Sequence, residues 1–472
     1  MTATAPHVFM YQRMHVQRIA MTTLSTVLKD AGMTTELVSG EPALLAKRLR
    51  EHSGRAYVLY TAMTPEYGPV RDIAANMRAQ FGDRIRQCVG GYHAMFFPEQ
   101  IDTKVFDGAC IGEGERAVAE WLRREENDAD HAIPNIYDGA HPYDTIDLAP
   151  LLTASEIPQP DTQILKDTGA YDKRHFFIAS GRRCPYHCTF CHNHRSMRLF
   201  KGMGEFYVQR SIDDILVETR RAVAELGIKR FAFYSDLLAL HRDWFLEFLE
   251  AYERDQKTPF KCFVRADQID PEVARGLINA GCESVEMGLE TGNEERRRLL
   301  KKKITNEDLF HAMKCLHNVG IHVQTTNMLG LPGESYAEAL ETIRFNREIG
   351  ADQAWFILFV PFPKTDLGDD AIEMGMVGNN LWPEVLDINP HDRSLLTTPE
   401  ARRVEILHKF AYILFFYPSM ENFVERLSHG PFRAVYKLIY RASYFWLFYR
   451  RSRRLSFREG VRTVYRAIAD RL

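Results

Sequence analysis

The sequence has no long apolar run. Its strongest stretch, Phe410 to Tyr417, spans eight residues, well short of the roughly 20 that cross a bilayer. The amino-terminal stretch Met1 to Gln12 has no basic segment followed by an apolar one, so neither a signal peptide nor a membrane span is expected. A dominant charge is missing too. Sixty Lys and Arg stand against 63 Asp and Glu, a formal net charge of -3, which excludes a global basic field directed at nucleic acid and makes any charged patch local. Cysteine is scarce, at eight in 472 residues, which excludes a disulfide-stapled secreted scaffold and fits a cytoplasmic protein. What is present is a folding composition: 45% hydrophobic, 26% charged and 11% aromatic, too apolar for a disordered chain. The length suits about three domains.

Hydrophobic periodicity divides the chain. Residues 1–125 alternate short apolar runs with amphipathic stretches: strand Val8 to Tyr11, helix Ile19 to Ala31, strand Thr35 to Val38, helix Pro42 to Glu51, strand Ala56 to Thr61, helix Tyr67 to Phe81, strands Gln87 to Gly90 and Gly108 to Ile111, and helix Glu115 to Arg124. That alternation predicts an α/β, doubly wound, Rossmann-like domain with its ligand at the carboxyl ends of parallel strands. Residues 126–166 show no sustained period and read as a linker. Residues 167–375 repeat strand then helix six times, from Phe176 to Ser180 through Gln353 to Phe359, which predicts a partial (β/α)6 barrel of the TIM type. Residues 376–472 read as helical. Between Pro431 and Leu472 there are 11 Lys or Arg and two acids around the aromatic run Tyr444 to Tyr449. Three readings stay open for this tail: a packing cap, a wall for an apolar or anionic substrate, or a surface for peripheral association with lipid.

Cys88, Cys110, Cys262, Cys282 and Cys315 stand alone, whereas Cys184, Cys188 and Cys191 follow the first barrel strand at Cys-x3-Cys-x2-Cys spacing. Three thiolates on one loop can hold three irons of a 4Fe-4S cluster and leave the fourth without a protein ligand, open to a small molecule. Zinc is the alternative, with His187, His192 or His194 as fourth ligand.

The spacing, with Phe190 before the last cysteine, resembles the radical S-adenosylmethionine (radical SAM) superfamily. That resemblance implies that Cys184, Cys188 and Cys191 hold the cluster, which reduces S-adenosyl-L-methionine and releases a 5'-deoxyadenosyl radical, with Phe190 beside the adenine. It implies cosubstrate contacts at Asp236, Arg265 and Glu290, at the ends of successive strands, and at Gly330 and Glu334 in the run Gly330-Leu331-Pro332-Gly333-Glu334. An electron donor such as flavodoxin or ferredoxin is implied as well.

The first domain resembles the cobalamin-binding branch of that superfamily, which includes corrinoid-dependent methyltransferases and the anaerobic Mg-protoporphyrin monomethyl ester cyclase. The runs that carry the likeness are Gly90-Gly91-Tyr92-His93-Ala94 and Gly112-Glu113-Gly114-Glu115. They imply Gly90 and Gly91 against a corrin, His93 at its edge, Glu113 in the second run, and Thr61 and Thr64 beside its nucleotide tail. Of the branch's axial-ligand pattern only His15 is kept. The function implied is a cobalamin-dependent radical methyltransferase acting on an unactivated centre of a small molecule, such as a natural product, tetrapyrrole or lipid-like compound. A cyclase or oxidoreductase without net methyl transfer is the alternative. A transfer-RNA methylthiotransferase is a second, disfavoured because the first domain has only Cys88 and Cys110.

Overall fold

The structure, a computed structural model, describes residues 6–127, 129, 131–140, 142–379, 381–386, 388–430, 433–450, 456, 458 and 461. The first sheet contains β1 (His7–Gln12), β2 (Thr34–Ser39), β3 (Ala56–Thr61), β4 (Ile85–Gly90), β5 (Gly108–Cys110) and β6 (Ile136–Tyr137), in the order β2-β1-β3-β4-β5-β6. All neighbours are parallel except β5 and β6. β1 and β3 are buried almost throughout, as strands covered by helices on both faces must be, which is why they read as unbroken apolar runs. Helix Pro42–Glu51 starts with a proline, whose fixed φ suits a first turn, and buries Leu45, Ala46 and Leu49 on one stripe. Burial of Leu49 contributes about 2 kcal/mol. Because the chain leaves β1 for β2 on one side and returns to β3 on the other, the strand order reverses there. A crevice opens at the carboxyl ends of β1 and β3.

The second sheet is formed by β7 (Phe176–Ile178), β10 (Phe231–Phe233), β11 (Phe260–Val264), β12 (Cys282–Glu290), β13 (His322–Leu329) and β14 (Gln353–Leu358), in the order β14-β13-β12-β11-β10-β7. A small antiparallel pair, β8 (Gly181–Arg182) and β9 (Val208–Gln209), lies between β7 and β10 in sequence. All pairings in the six-stranded sheet are parallel, and β7 does not pair with β14, so the barrel is open. Alternation along β11 buries Phe260, Cys262 and Val264 with the helices and turns Lys261 and Phe263 to the concave face. There Phe177, Tyr234 and Phe263 meet edge to face, with centroids 5.3 and 4.8 Å apart.

Two sequence expectations are adjusted. The segment read as a linker contains β6 and helix Thr162–Thr168, whose cap Asp161 accepts the Gln163 N–H and the Ser25 hydroxyl and pairs with Lys29. Elements this short leave no period to detect. In the tail, helix Pro399–Phe416 is buried on most of its surface, and Tyr444 and Phe448 pack against Tyr412. The described part therefore caps the barrel. Most of the arginine-rich end, 451–472, lies outside the described residues.

Candidate functional site

The three clustered cysteines sit on the loop that joins β8 to helix His192–Leu199, and both loop and helix lie within the connection from β8 to β9. The loop is fixed at both ends. Upstream, the buried Ser180 donates its N–H to the Ser235 hydroxyl at 2.7 Å, and its carbonyl accepts from the Arg210 N–H at 2.8 Å. A Cβ on Gly181 would come within 2.5 Å of the Val208 carbonyl oxygen, so only glycine lets the hairpin close. Within the loop, Thr189 donates its N–H to the Leu300 carbonyl at 3.1 Å and accepts from the Leu367 N–H at 3.0 Å.

Burial pushes the Cys184 thiol up to about 11 and Cys191 up to about 12, and raises Cys188 as well. Such thiols hold their protons until a metal displaces them. The donor set fits an iron–sulfur cluster. A cubane takes one thiolate on each of three irons, which three cysteines on one short loop can supply. His194, one of the residues considered as a fourth zinc ligand, instead faces Asp366 through Nδ1 at 3.2 Å.

Polar groups surround the loop at the ends of the barrel strands. Asp236 accepts the Arg183 N–H at 3.0 Å, where Arg183 adopts a left-handed φ of 69°. Arg265 lies flat over the Tyr186 ring at 3.7 Å and spends Nε and Nη2 on Asp267 and the Lys302 carbonyl. Glu290 also has a left-handed φ, 71°, at a register shift in β12, and accepts from Lys302 Nζ at 2.8 Å. A Cβ on Gly288 would sit 2.6 Å from both charged atoms of that pair, so glycine makes the room for it. Burial pushes the Lys302 ammonium down, but the Glu290 carboxylate, joined by Cys188 when its sulfur is ionised, outweighs it and holds the ammonium above its ordinary value. Strained backbone beside a buried ion pair is typical of functional sites. Lys302 went unrecognised in the sequence because the run Lys301-Lys302-Lys303 looks like a solvated stretch.

Glu334 receives the Gly330 and Leu331 N–H groups at 2.5 and 3.2 Å and closes its own turn. Burial raises its carboxyl to about 7, and its second oxygen is buried without a hydrogen-bond partner. Gly330, at φ 78°, supplies the left-handed residue that this turn needs. Phe190 packs with the cluster of Met328, Leu331 and Phe359 and also borders a cavity between the two sheets.

That cavity, of about 180 Å³, brings together the ends of β3 and β4, the cysteine loop and the segment after β14. Thr64 and Met63 line it from the first domain. Thr61 lies behind them, packed against Gly91, where a Cβ would meet the Ala62 carbonyl at 2.7 Å and whose φ is 98°. Gly91 is thus required by its own turn. A Cβ on Gly90 would make only an ordinary 3.7 Å contact with Cys110. His93 is fully buried and stacked on Tyr67 at 3.9 Å, and neither ring nitrogen has a hydrogen-bond partner. Burial and the neighbouring Lys364 drop it to about 3, so the ring is neutral. His15 is exposed and bonded to Ser39 at 2.7 Å. Glu113 turns toward the cysteine loop, accepting from Arg182, Arg183 and the Leu152 N–H at 3.2, 3.0 and 2.6 Å. Farther along the boundary, the Gln17 amide pairs with both the N–H and the carbonyl of Phe177 on the edge strand β7, at 2.7 and 2.9 Å.

Met14 and Val16 after β1 and Met63 after β3 leave large apolar side chains 39 to 48% exposed around the topological crevice. These side chains stand at the end of the sheet where ligands of doubly wound domains bind, and the residues present fit a corrin there.

Comparison with known proteins agrees with this geometry. Residues 178–345 match the radical SAM superfamily, so the chain carries a radical SAM domain. An uncharacterized methyltransferase of Pyrococcus horikoshii is 24% identical over 393 residues, covering 82% of this chain and 83% of the relative. Among solved structures, the radical S-adenosylmethionine methyltransferase TsrM of Kitasatospora setae, with cobalamin and a [4Fe-4S] cluster bound, superimposes at a TM-score of 0.68 and 14% identity over 93% of this chain and 99% of that one. The cobalamin-dependent S-adenosylmethionine radical enzyme OxsB matches at the same TM-score and identity over 93% of this chain and 72% of that one. At these identities the two structures share the fold of this chain.

Proposed function

We propose that this chain is a cobalamin-dependent radical SAM enzyme that transfers a methyl group to an unactivated carbon or phosphorus centre of a small molecule. One observation carries the reading: the carboxyl ends of both parallel sheets open toward each other, with the three-cysteine loop and a shared cavity between them. When bound, the cluster and cosubstrate supply a carbon radical by one-electron cleavage, and cobalamin supplies a methyl group that no side chain can deliver.

The chain's own residues hold and orient. Cys184, Cys188 and Cys191 ligate the cluster, and Lys302 lays a buried positive charge beside Cys188. Asp236, Arg265 and Glu290 take the polar groups of the cosubstrate. Arg265 has Nη1 left for this once Asp267 and the Lys302 carbonyl are satisfied. Glu334 keeps the following turn closed. Thr61, Thr64, Gly90, Gly91 and His93 shape the corrin side, and Glu113 joins it to the cysteine loop. The electron comes from a small donor of the flavodoxin or ferredoxin kind. All eight cysteines are free thiols, which suits the reducing cytoplasm, and among the described residues no helix is long and apolar enough to cross a membrane.

Anaerobic reconstitution with iron, sulfide and hydroxocobalamin tests the proposal. About four irons and one cobalt per chain, with deoxyadenosine released under strong reductant, are expected. Zinc in place of iron, or no deoxyadenosine, overturns it. Similarity to the anaerobic magnesium-protoporphyrin IX monomethyl ester cyclase of Rubrivivax gelatinosus, 24% identical over 295 residues, favours one second reading, in which the same cofactors serve ring closure or oxidation. Isotope from methyl-labelled cosubstrate appearing in the product separates the first reading from the second. The methylthiotransferase reading is disfavoured further by the structure: Cys88 and Cys110 are both buried in the core, and the described tail is helical.

A further inference from the structure

Five aromatic rings line the inter-domain cavity, from Tyr92, Phe96, Phe97, Phe190 and Phe362. Two cations join them. Lys364 is accounted for, since its ammonium binds Glu99 and the Phe96 carbonyl, each at 2.6 Å. Arg195 is not: it faces the cavity from the helix after the cysteine loop, and among the described residues its guanidinium has no hydrogen-bond, ion-pair or ring partner. Among the described residues no acidic side chain lines the cavity. One turn before Arg195, His192 also faces the cavity, and its Nε2 is buried without a hydrogen-bond partner.

The buried His192 nitrogen is costly to leave unpaired unless a ligand completes it, and the half-buried Arg195 guanidinium beside it has no carboxylate to compete with such a ligand. Guanidinium groups prefer planar or tetrahedral oxyanions, which they bind through paired N–H donors. Flanking rings favour a flat apolar body. A volume of about 180 Å³ is below the usual range for a whole drug-sized ligand, so it suits a compact molecule or one end of a larger one.

We infer that this cavity binds the anionic end of an aromatic or apolar ligand, a carboxylate, phosphate or phosphonate held by Arg195 and His192. The inference rests on the proposed function, and it assigns the substrate class of that site: an apolar molecule with one acidic group. Cobalamin carries a phosphodiester of its own and is the other source of the same chemistry.

The experiment titrates the full chain with phenylphosphonate and, in parallel, with neutral benzyl alcohol. Binding is read by calorimetry and by the fluorescence of Trp382, which lies edge-on to the cavity residue Phe97 at 4.7 Å. Cobalt retention is measured on the same samples. Phenylphosphonate is expected to bind the wild type at least ten-fold more tightly than benzyl alcohol. Arg195→Gln should abolish that preference and leave cobalt retention unchanged, and Arg195→Lys should restore part of it. If Arg195→Gln instead loses cobalt and phenylphosphonate competes with cobalamin, the anion site stands but belongs to the cofactor, and the substrate assignment falls. Equal binding of both probes, or no effect of either variant on binding and cobalt, overturns the inference. Deoxyadenosine release by the wild type separates the two failures, because its absence sinks the proposed function, whereas its presence with no anion preference sinks only this site.

Discussion

Arg183 Nη1 lies 3.0 Å from Glu113 Oε1, so the residue immediately before Cys184 is tied by an ion pair to the loop that follows β5 of the other domain. Its own N–H is held by Asp236, also at 3.0 Å. The adjacent Arg182 repeats the link to Glu113 and adds Glu115 at 2.6 Å. The first domain thereby sets the geometry of the cysteine loop. Glu113→Ala removes three accepted hydrogen bonds and leaves Arg183 with its buried charge uncompensated, and should cost about 2 kcal/mol. Denaturant unfolding and the rate of iron loss to a chelator measure it. Both should change together, and an unchanged iron-loss rate would show that the clamp does not reach the cluster.

Lys302 and Glu290 form a pair in which each covers the other's buried charge. Lys302→Met strands the carboxylate and should destabilise the protein by about 3 kcal/mol. The double variant Glu290→Gln, Lys302→Met should recover most of that loss, because no lone charge remains. A double-mutant cycle by urea unfolding checks this, and additive losses would contradict a coupled pair.

Gly181→Ala forces a methyl group against the Val208 carbonyl. A loss of about 1–3 kcal/mol is expected from the overpacking, together with lower iron content, since β8 leads directly into the cysteine loop. Wild-type stability in the variant would show that β8 and β9 are not closed in solution.

His93 and Glu334 should shape the pH dependence of stability with opposite signs. The folded-state value of His93 is depressed to about 3, so its contribution is complete above pH about 6.5 and is lost as the pH falls toward 3. Glu334 is raised to about 7, so its contribution is present below pH about 4.5 and is lost as the pH rises through 7. Each slope is bounded by about 1.4 kcal/mol per pH unit. Unfolding curves of His93→Phe should lose the acid-side slope, and those of Glu334→Gln the slope between pH about 4.5 and 7. Parallel profiles for variant and wild type would refute the assignment.

Much of the fold was legible because its strands are covered on both sides. Runs such as Ala56–Thr61 and helices such as Pro42–Glu51 coincide with the expected bounds to the residue, and the six barrel strands appear in the expected order. β6 and the β8–β9 hairpin escaped notice, since strands of two residues carry no period. The cysteine loop stood out for a different reason: Cys184, Cys188 and Cys191 crowd onto one short segment, and such spacing is read locally whatever fold surrounds it.

Local sequence by itself determined the alternation of strand and helix, the thiol triplet and the glycine turns, because burial periodicity, short-range ligand spacing and backbone sterics act over a few residues. Only the tertiary structure decided that Lys302 is buried against Glu290, that Glu113 reaches Arg183, 70 positions away, and that Arg195 faces a cavity without a counter-charge. Charge pairing depends on which side chains packing brings within a few ångströms of each other, and a lysine or arginine in the sequence looks the same whether water, a carboxylate or a ligand will neutralise it.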